Sequence, residues 1–206
     1  MPTIGLIDYG AGNFTSVFNA LRYLGLNVTK IDMPAQMEQV SHLVLPGVGA
    51  FATVMRQLTR LHFVNTLRQQ ILEQGKPFLG ICVGMQVLAS LGREFEDCAG
   101  LDAIPGVVER IPTESSGLPL PHMGWNELQI EQTSPLFAGL PERPVFYFVH
   151  SYHLQPTYTA NVLATCRYGT DLVAVVQNAN IFGVQFHPEK SQRVGFQVLK
   201  NFLALS

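Results

Sequence analysis

Charge is scarce in this chain. Only 14% of its 206 residues are Asp, Glu, Lys or Arg, and the net charge is -2 with acids and bases intermixed. A nucleic-acid surface needs a basic stripe to neutralise phosphates, and none is present. Cysteine is scarcer still. Cys82, Cys98 and Cys166 are too few for a disulfide framework and form no paired metal motif. No apolar run approaches the roughly 20 residues that span a bilayer, and Met1-Pro2-Thr3-Ile4 lacks the basic and apolar regions of a secretory signal. Internal repeats, low-complexity tracts and domain linkers are also missing. These absences lead to the expectation of a cytoplasmic protein that uses neither metal nor cofactor.

What is present is mostly hydrophobic. Apolar residues make up 47% of the chain, enough to order nearly all of it. Its length suits one domain over residues 1–206 rather than two. The low charge also hints that a partner covers part of the surface.

The first half alternates strand-like and helix-like segments. Thr3 to Asp8 is an apolar run closed by the turn Tyr9-Gly10-Ala11-Gly12-Asn13. Phe14, Val17, Phe18 and Leu21 then recur at helical spacing. Strands are expected over Leu26–Ile31, His42–Leu45 and Phe78–Ile81, with helix in two pieces across about 51–74. The pattern Met85, Val87, Leu88 predicts a further helix after Cys82. From Pro105 onwards the chain turns β-rich, with strands expected at Val145–Val149, Leu163–Arg167 and Leu172–Gln177. A final helix over about 191–205 would bury Val194, Val198, Leu199 and Phe202. The expected fold is therefore α/β: three layers around a mostly parallel sheet with flanking helices, plus a β-rich extension. Loops at the carboxyl ends of such strands carry function, and the segments after Asp8, Leu45 and Ile81 all lie there.

Two distant stretches fit together as one piece of chemistry. Gly80-Ile81-Cys82-Val83-Gly84 has the G-x-nucleophile-x-G form of a nucleophile elbow, in which the nucleophile sits on a sharp strand-to-helix turn. The first turn of a following helix would favour a thiolate. A lone cysteine in an apolar chain ordinarily only packs, and Cys98 and Cys166 are read that way. The glycine context separates Cys82 from them. Gly183-Val184-Gln185-Phe186-His187-Pro188-Glu189 supplies an imidazole and, two residues on, a carboxylate on the same side of an extended segment. Nucleophile, base and orienter make a triad for acyl transfer. Leu45-Pro46-Gly47-Val48-Gly49-Ala50-Phe51 adds a glycine-rich strand end able to aim N–H groups at an oxyanion. Val83 N–H, just after the nucleophile, is the second donor. The loop has no Gly-Lys-Ser/Thr ending, so phosphate binding is not expected.

The run Gly80-Ile81-Cys82-Val83-Gly84-Met85-Gln86 with Phe186-His187-Pro188-Glu189 resembles the class I glutamine amidotransferases. Ile7-Asp8-Tyr9-Gly10-Ala11-Gly12-Asn13, Pro121-His122-Met123-Gly124-Trp125-Asn126, Tyr147-Phe148-Val149-His150-Ser151-Tyr152 and Lys190 narrow the likeness. The set is similar to the branch that supplies ammonia to imidazole glycerol phosphate synthase. The resemblance implies that Cys82 attacks the glutamine side-chain amide, with His187 as base and then acid and Glu189 orienting it. It implies a glutamine pocket of Gln86, Gly49, His150, Ser151 and Tyr152, and an oxyanion hole at Val48 and Val83 that needs a peptide flip. It implies a heterodimer with a (β/α)8-barrel cyclase, to which ammonia passes to form imidazole glycerol phosphate and an aminoimidazole carboxamide ribotide. Asn13, His122, Met123, Trp125 and Lys190 would face that partner. The cyclase's ligand is then expected to bias the Pro46–Gly49 loop between inactive and active peptide orientations. Three alternatives stay open: a glutaminase serving another synthase, such as one making pyridoxal phosphate; a cysteine peptidase or deglycase-like enzyme; and a catalytically silent binding subunit.

Overall fold

The computed structural model describes residues 2–10 and 13–205, so Ala11 and Gly12 of the expected first turn lie outside the described residues. In chain order the strands and helices are β1 (Thr3–Ile7), α1 (Phe14–Tyr23), β2 (Asn27–Ile31), β3 (His42–Leu45), α2 (Phe51–Arg60), α3 (Phe63–Arg68), β4 (Phe78–Ile81) and α4 (Val83–Gln86). They continue with β5 (Leu91–Gly92), β6 (Cys98–Ala99), β7 (Gly106–Arg110), β8 (His122–Glu127), β9 (Gln129–Ile130) and β10 (Val145–His150). Last come β11 (Tyr152–Pro156), β12 (Val162–Tyr168), β13 (Thr170–Asn178), β14 (Ile181–Val184) and α5 (Gln192–Leu203).

One eight-stranded sheet, ordered β2-β1-β3-β4-β14-β13-β12-β9, organises the molecule. The pairs from β2 to β14 are parallel, and those from β14 to β9 are antiparallel. Strands β3 (HLVL), β4 (FLGI) and β14 (IFGV) are buried at every position. Such near-continuous apolar strands fit a parallel sheet covered on both faces. The α/β expectation, with its mostly parallel sheet and flanking helices, is met. Beside the sheet stand the ribbon β8–β10 and a four-stranded sheet ordered β11-β7-β5-β6, which together form the β-rich extension. Of these strands only β10 was singled out from sequence. Among the described residues no helix is long and apolar enough to cross a membrane.

The parallel run sets the site. Because β1, β3, β4 and β14 point the same way, the segments after Ile7, Leu45, Ile81 and Val184 leave the sheet at one edge. Register ties them closely: Leu45 lies opposite Gly80, and Ile81 opposite Val184.

Two local expectations need correction. The helix after Cys82 is a single turn, Val83–Gln86, and does not run on through Leu88. The segment 100–104 folds back and takes its outgoing carbonyls instead: Leu101 N–H donates to Val87 O (2.8 Å), Ala103 and Ile104 to Leu88 O (2.9 and 3.0 Å) and Asp102 to Ala89 O (3.0 Å). So short a helix has little macrodipole to favour a thiolate. In the last helix Val198, Leu199 and Phe202 are buried as expected, while Val194 is only half-buried.

Candidate active site

Cys82 caps β4 in a conformation that side chains rarely adopt, φ 54° and ψ -113°. Its own N–H donates to Val184 O at 2.8 Å, pinning the elbow to β14. The flanking glycines are needed for space. A Cβ on Gly84 would stand 2.0 Å from Leu45 O, and one on Gly80 would stand 2.3 Å from Gly84 O. The positive φ therefore falls on the nucleophile itself, where strain of this kind accumulates at functional sites.

His187 reaches the elbow from the segment after β14. Ribbon strand β10 holds it there, because His187 N–H donates to Tyr147 O (2.9 Å) while Ser191 Oγ donates to His187 O (2.6 Å). Its Nδ1 lies 2.8 Å from Glu189 Oε1, and both side chains are fully buried. Nε2 is buried and, among the described residues, has no partner that meets strict hydrogen-bond geometry, yet the Cys82 sulfur is the strongest influence favouring its protonation. Burial works against protonating His187, but the Cys82 sulfur and then the Glu189 carboxylate overcome it and hold the imidazole up to about 9. Burial likewise opposes ionising Glu189, yet His187 and Asn13 leave its carboxyl below the usual range.

Asn13 was expected at a partner surface, and its side chain also completes this pair. Its Nδ2 donates to Glu189 Oε1 at 2.8 Å and lies 3.3 Å from His187 Nδ1. It adopts φ 76° at the start of α1, a left-handed conformation that asparagine tolerates better than most residues.

The Pro46–Gly49 loop crosses beside the elbow, and Gly49 sits at φ 99° with open space around its Cα. Tyr9 fills the interior under the loop. Its hydroxyl is buried without a partner among the described residues, and a Cβ on Gly47 would approach it to 3.2 Å. Burial pushes the phenol pKa up, and the nearby Cys82 and Asp8 push the same way.

A cavity of about 450 Å³ opens over Cys82. Val48, Gly49, Val83, Gln86, His150, Ser151, Tyr152 and His187 line it, so the structure brings the expected pocket and oxyanion residues together. It adds Glu94 and Phe95, which sequence reading missed. Glu94 Oε2 accepts the Phe51 N–H at 2.9 Å at the start of α2. Burial raises its carboxyl pKa and that amide opposes the rise. Phe95 stands 90% exposed at the rim. The signal for Glu94 was weak: it follows the Gly80–Gln86 run closely, but as a carboxylate in a polar stretch with no motif of its own.

The residues expected at a partner surface divide by strand period. On β8, Met123 and Trp125 are 61% and 50% exposed, whereas His122 is 3% exposed and turns inward. Alternation puts residues one apart on opposite faces, so His122 cannot share the surface of its neighbours. Trp125 packs edge-on against Tyr147 (centroids 6.0 Å apart), and exposed Lys190 extends its ammonium to 5.8 Å from the Tyr147 ring.

The arrangement suits attack on an amide carbonyl: a strained cysteine, an imidazole held charged beside it, N–H groups at a glycine loop and a cavity of small-molecule size. Comparison with known proteins agrees. The sequence signature of "Glutamine amidotransferase class-I" matches residues 5–205. Imidazole glycerol phosphate synthase subunit HisH of Moorella thermoacetica is 46% identical over 202 residues, covering 98% of this chain and 94% of the relative. The protein of that name from Methanothermobacter thermautotrophicus is also 46% identical over 202 residues, covering 98% of each. Among solved structures, a glutamine amidotransferase superposes with TM-score 0.76 at 22% identity, covering 97% of this chain and 96% of that one. PurLQS from Thermotoga maritima superposes at 0.77 with 18% identity, covering 98% and 97%. Those two likenesses speak to the fold, and the sequence match to descent: the chain belongs to the class I glutamine amidotransferase family.

Proposed function

We propose that this protein is the glutaminase subunit of an imidazole glycerol phosphate synthase, hydrolysing glutamine and handing ammonia to a cyclase subunit. The observation that carries the reading is Cys82 at φ 54° lining one cavity with His187, which is buried against Glu189, in a chain 46% identical to such subunits over 98% of its length. A glutaminase for another synthase would share this site, but the full-length identity favours this one. The intact triad weighs against a silent binding subunit.

The roles follow from the geometry. Glutamine enters with its side-chain carbonyl over Cys82. Glu94, the one carboxylate lining the cavity among the described residues, takes the α-ammonium, and Gln86 meets the side-chain amide. The Cys82 sulfur adds to the carbonyl carbon, and the oxyanion is held by Val83 N–H and a peptide N–H near Val48. His187, charged at neutral pH, gives its Nε2 proton to the departing nitrogen, so ammonia leaves and a thioester remains. Water, deprotonated by His187, then splits the thioester into glutamate and free Cys82. Asn13 and Glu189 hold the imidazole ring throughout.

The pH dependence has a definite sign. His187 is raised from an ordinary 6.5 to about 9, so the contribution of its charged form to stability is complete below about pH 6.5 and is lost as pH rises through about 9. Ammonia release needs the same proton, so kcat/KM is expected to fall on the alkaline side near there. Glu189→Gln removes one of the two charges that raise it. Its alkaline limb should move down by on the order of one pH unit, read from a pH profile of glutamate release. An unmoved limb would mean that Glu189 does not act through His187.

Met123, Trp125, Tyr147 and Lys190 form the face we assign to a (β/α)8-barrel cyclase, as a heterodimer. Apolar and aromatic groups rimmed by charge suit such a contact. Further, we propose that residues 1–206 act as a single domain, supported by one continuous core that runs from Ile4 to Leu203. A cytoplasmic setting is supported by three free thiols. The test is glutamate release by the chain alone and with a candidate cyclase carrying its ligand. Stimulation of roughly 5–150-fold is expected, the span of a coupling of 1–3 kcal/mol. Equal rates with and without the bound cyclase would remove the partner assignment and the proposed bias on the Pro46–Gly49 loop.

A further inference from the structure

A chain of hydrogen bonds, none of it visible in the sequence, runs from ribbon strand β8 to the nucleophile. Its polarity follows from one atom. Tyr152 O can only accept, so both groups that approach it must donate: Gln86 Nε2 at 2.9 Å and His150 Nδ1 at 2.8 Å. On one side, Gln86 Nε2 also reaches Gln185 at 3.0 Å, so that atom of Gln185 is the oxygen. The Gln185 amide nitrogen then points at Cys82 Sγ, 3.6 Å away. On the other side, a neutral His150 with its proton on Nδ1 has an accepting Nε2. His122 Nδ1 donates to it at 3.0 Å, and His122 Nε2 accepts from Asn126 Nδ2 at 3.1 Å. Asn126 is oriented in turn, because its Nδ2 also donates to Arg167 O (2.9 Å) and its Oδ1 accepts the Glu127 N–H (2.8 Å). Every link has one donor and one acceptor. Burial presses the same way, lowering His122 to about 4 and His150 to about 3, so both rings stay neutral.

We propose that Gln185 is a positioning residue for the nucleophile: its amide N–H, locked toward Cys82 Sγ by this chain, holds the sulfur in place and stabilises it as the charge it carries before attack. This inference rests on the reading of Cys82 as nucleophile. Gln185 is fully buried and does not line the glutamine cavity, so it acts on the sulfur rather than on the substrate. A wholly buried amide has no reason to be polar at that site other than its partners, and those partners are Gln86 and the sulfur. Hydrogen bonds to a charged acceptor are the stronger kind. The same polarity commits both Gln86 amide hydrogens to the protein, leaving its oxygen beside the cavity without a partner among the described residues.

The test replaces Gln185 in the full chain with Met, which keeps length and loses the donor, and with Glu, which puts a carboxylate against the sulfur. The rate of carboxyamidomethylation of Cys82 by iodoacetamide is read by peptide mass spectrometry, which separates it from Cys98 and Cys166. At pH 7 the rate is expected to fall about tenfold in Gln185→Met and further in Gln185→Glu. The Met variant should rejoin the parent at alkaline pH. In glutamate release kcat falls by a larger factor than KM for glutamine rises. Parent-like alkylation at pH 7 in folded variants would overturn the proposal, as would a loss that persists at alkaline pH. Should neither variant fold, the Gln185 side-chain amide resonances of the parent decide the matter: they must shift when Cys82 is capped, and unmoved resonances overturn the inference. The underlying reading fails separately, if 6-diazo-5-oxo-L-norleucine does not label Cys82 in the parent.

Discussion

Replacing Cys82 with alanine is expected to lower glutamate release by at least about four orders of magnitude while leaving the protein folded. The size follows from covalent catalysis: with no sulfur there is no thioester, and what remains is binding and oxyanion stabilisation acting on water. The preserved fold follows from the local structure. Cys82 holds φ 54° as a non-glycine residue already, so alanine meets the same backbone strain. The lost Sγ takes one acceptor, at 3.6 Å, from the Gln185 amide, a local cost that leaves the Gln185 contact to Gln86 and the surrounding sheet in place. Serine should be nearly as inactive, because a hydroxyl beside His187 is far harder to ionise than a thiol. The measurement is glutamate release with the cyclase bound, beside a thermal melt of each variant. A Cys82→Ala protein that keeps even a hundredth of parental turnover would show that the nucleophile has been misplaced.

How much of this site was legible beforehand depends on the distance over which each residue finds its partner. The elbow and the His187–Glu189 pair are local patterns: glycines two residues either side of a cysteine, and two side chains at i and i+2 of an extended segment. Both survive translation into three dimensions because they depend on a few consecutive dihedrals. The parallel sheet was legible for a similar reason, since HLVL, FLGI and IFGV are apolar throughout as doubly covered strands must be. Contacts across the fold were not. Asn13 meets Glu189 across 176 positions and Gln185 meets Cys82 across 103, and no periodicity links such pairs. The truncated helix after Cys82 belongs to the same class of miss. Its apolar spacing was helical, but the carbonyls of Val87, Leu88 and Ala89 are captured by residues 101–104, a tertiary choice that overrides propensity. His122 differs, because the alternation of β8 could have separated it from Met123 and Trp125 had the strand been recognised.

The largest structural effect is expected from Gly84→Ala. A methyl there would sit 2.0 Å from Leu45 O, a backbone atom that cannot turn aside as a flexible side chain can. Leu45 ends β3 and leads directly into the Pro46–Gly49 loop, while Gly84 lies two residues past the nucleophile. The close approach therefore sets the spacing between the nucleophile and its oxyanion donors. Gly47 tightens the same joint from the other side, since its own Cβ would fall 2.8 Å from Gly84 N. Relieving the clash means moving β3's end and the elbow apart by about an ångström or more. Forcing a buried methyl into a packed interior typically costs 1–3 kcal/mol, and a backbone neighbour puts this case at or above the upper end. For a chain of this size that corresponds to a fall in Tm of roughly 6–12 °C or more. Activity should suffer more than stability. Displacement of a catalytic group by about 1 Å can cost on the order of a hundredfold in rate, so glutamate release by the folded fraction should drop by at least that factor. Thermal melts and turnover at a temperature where the variant is fully folded separate the two effects. A variant that melts with the parent and turns over normally would show that the elbow and the oxyanion loop are not held in register by this contact.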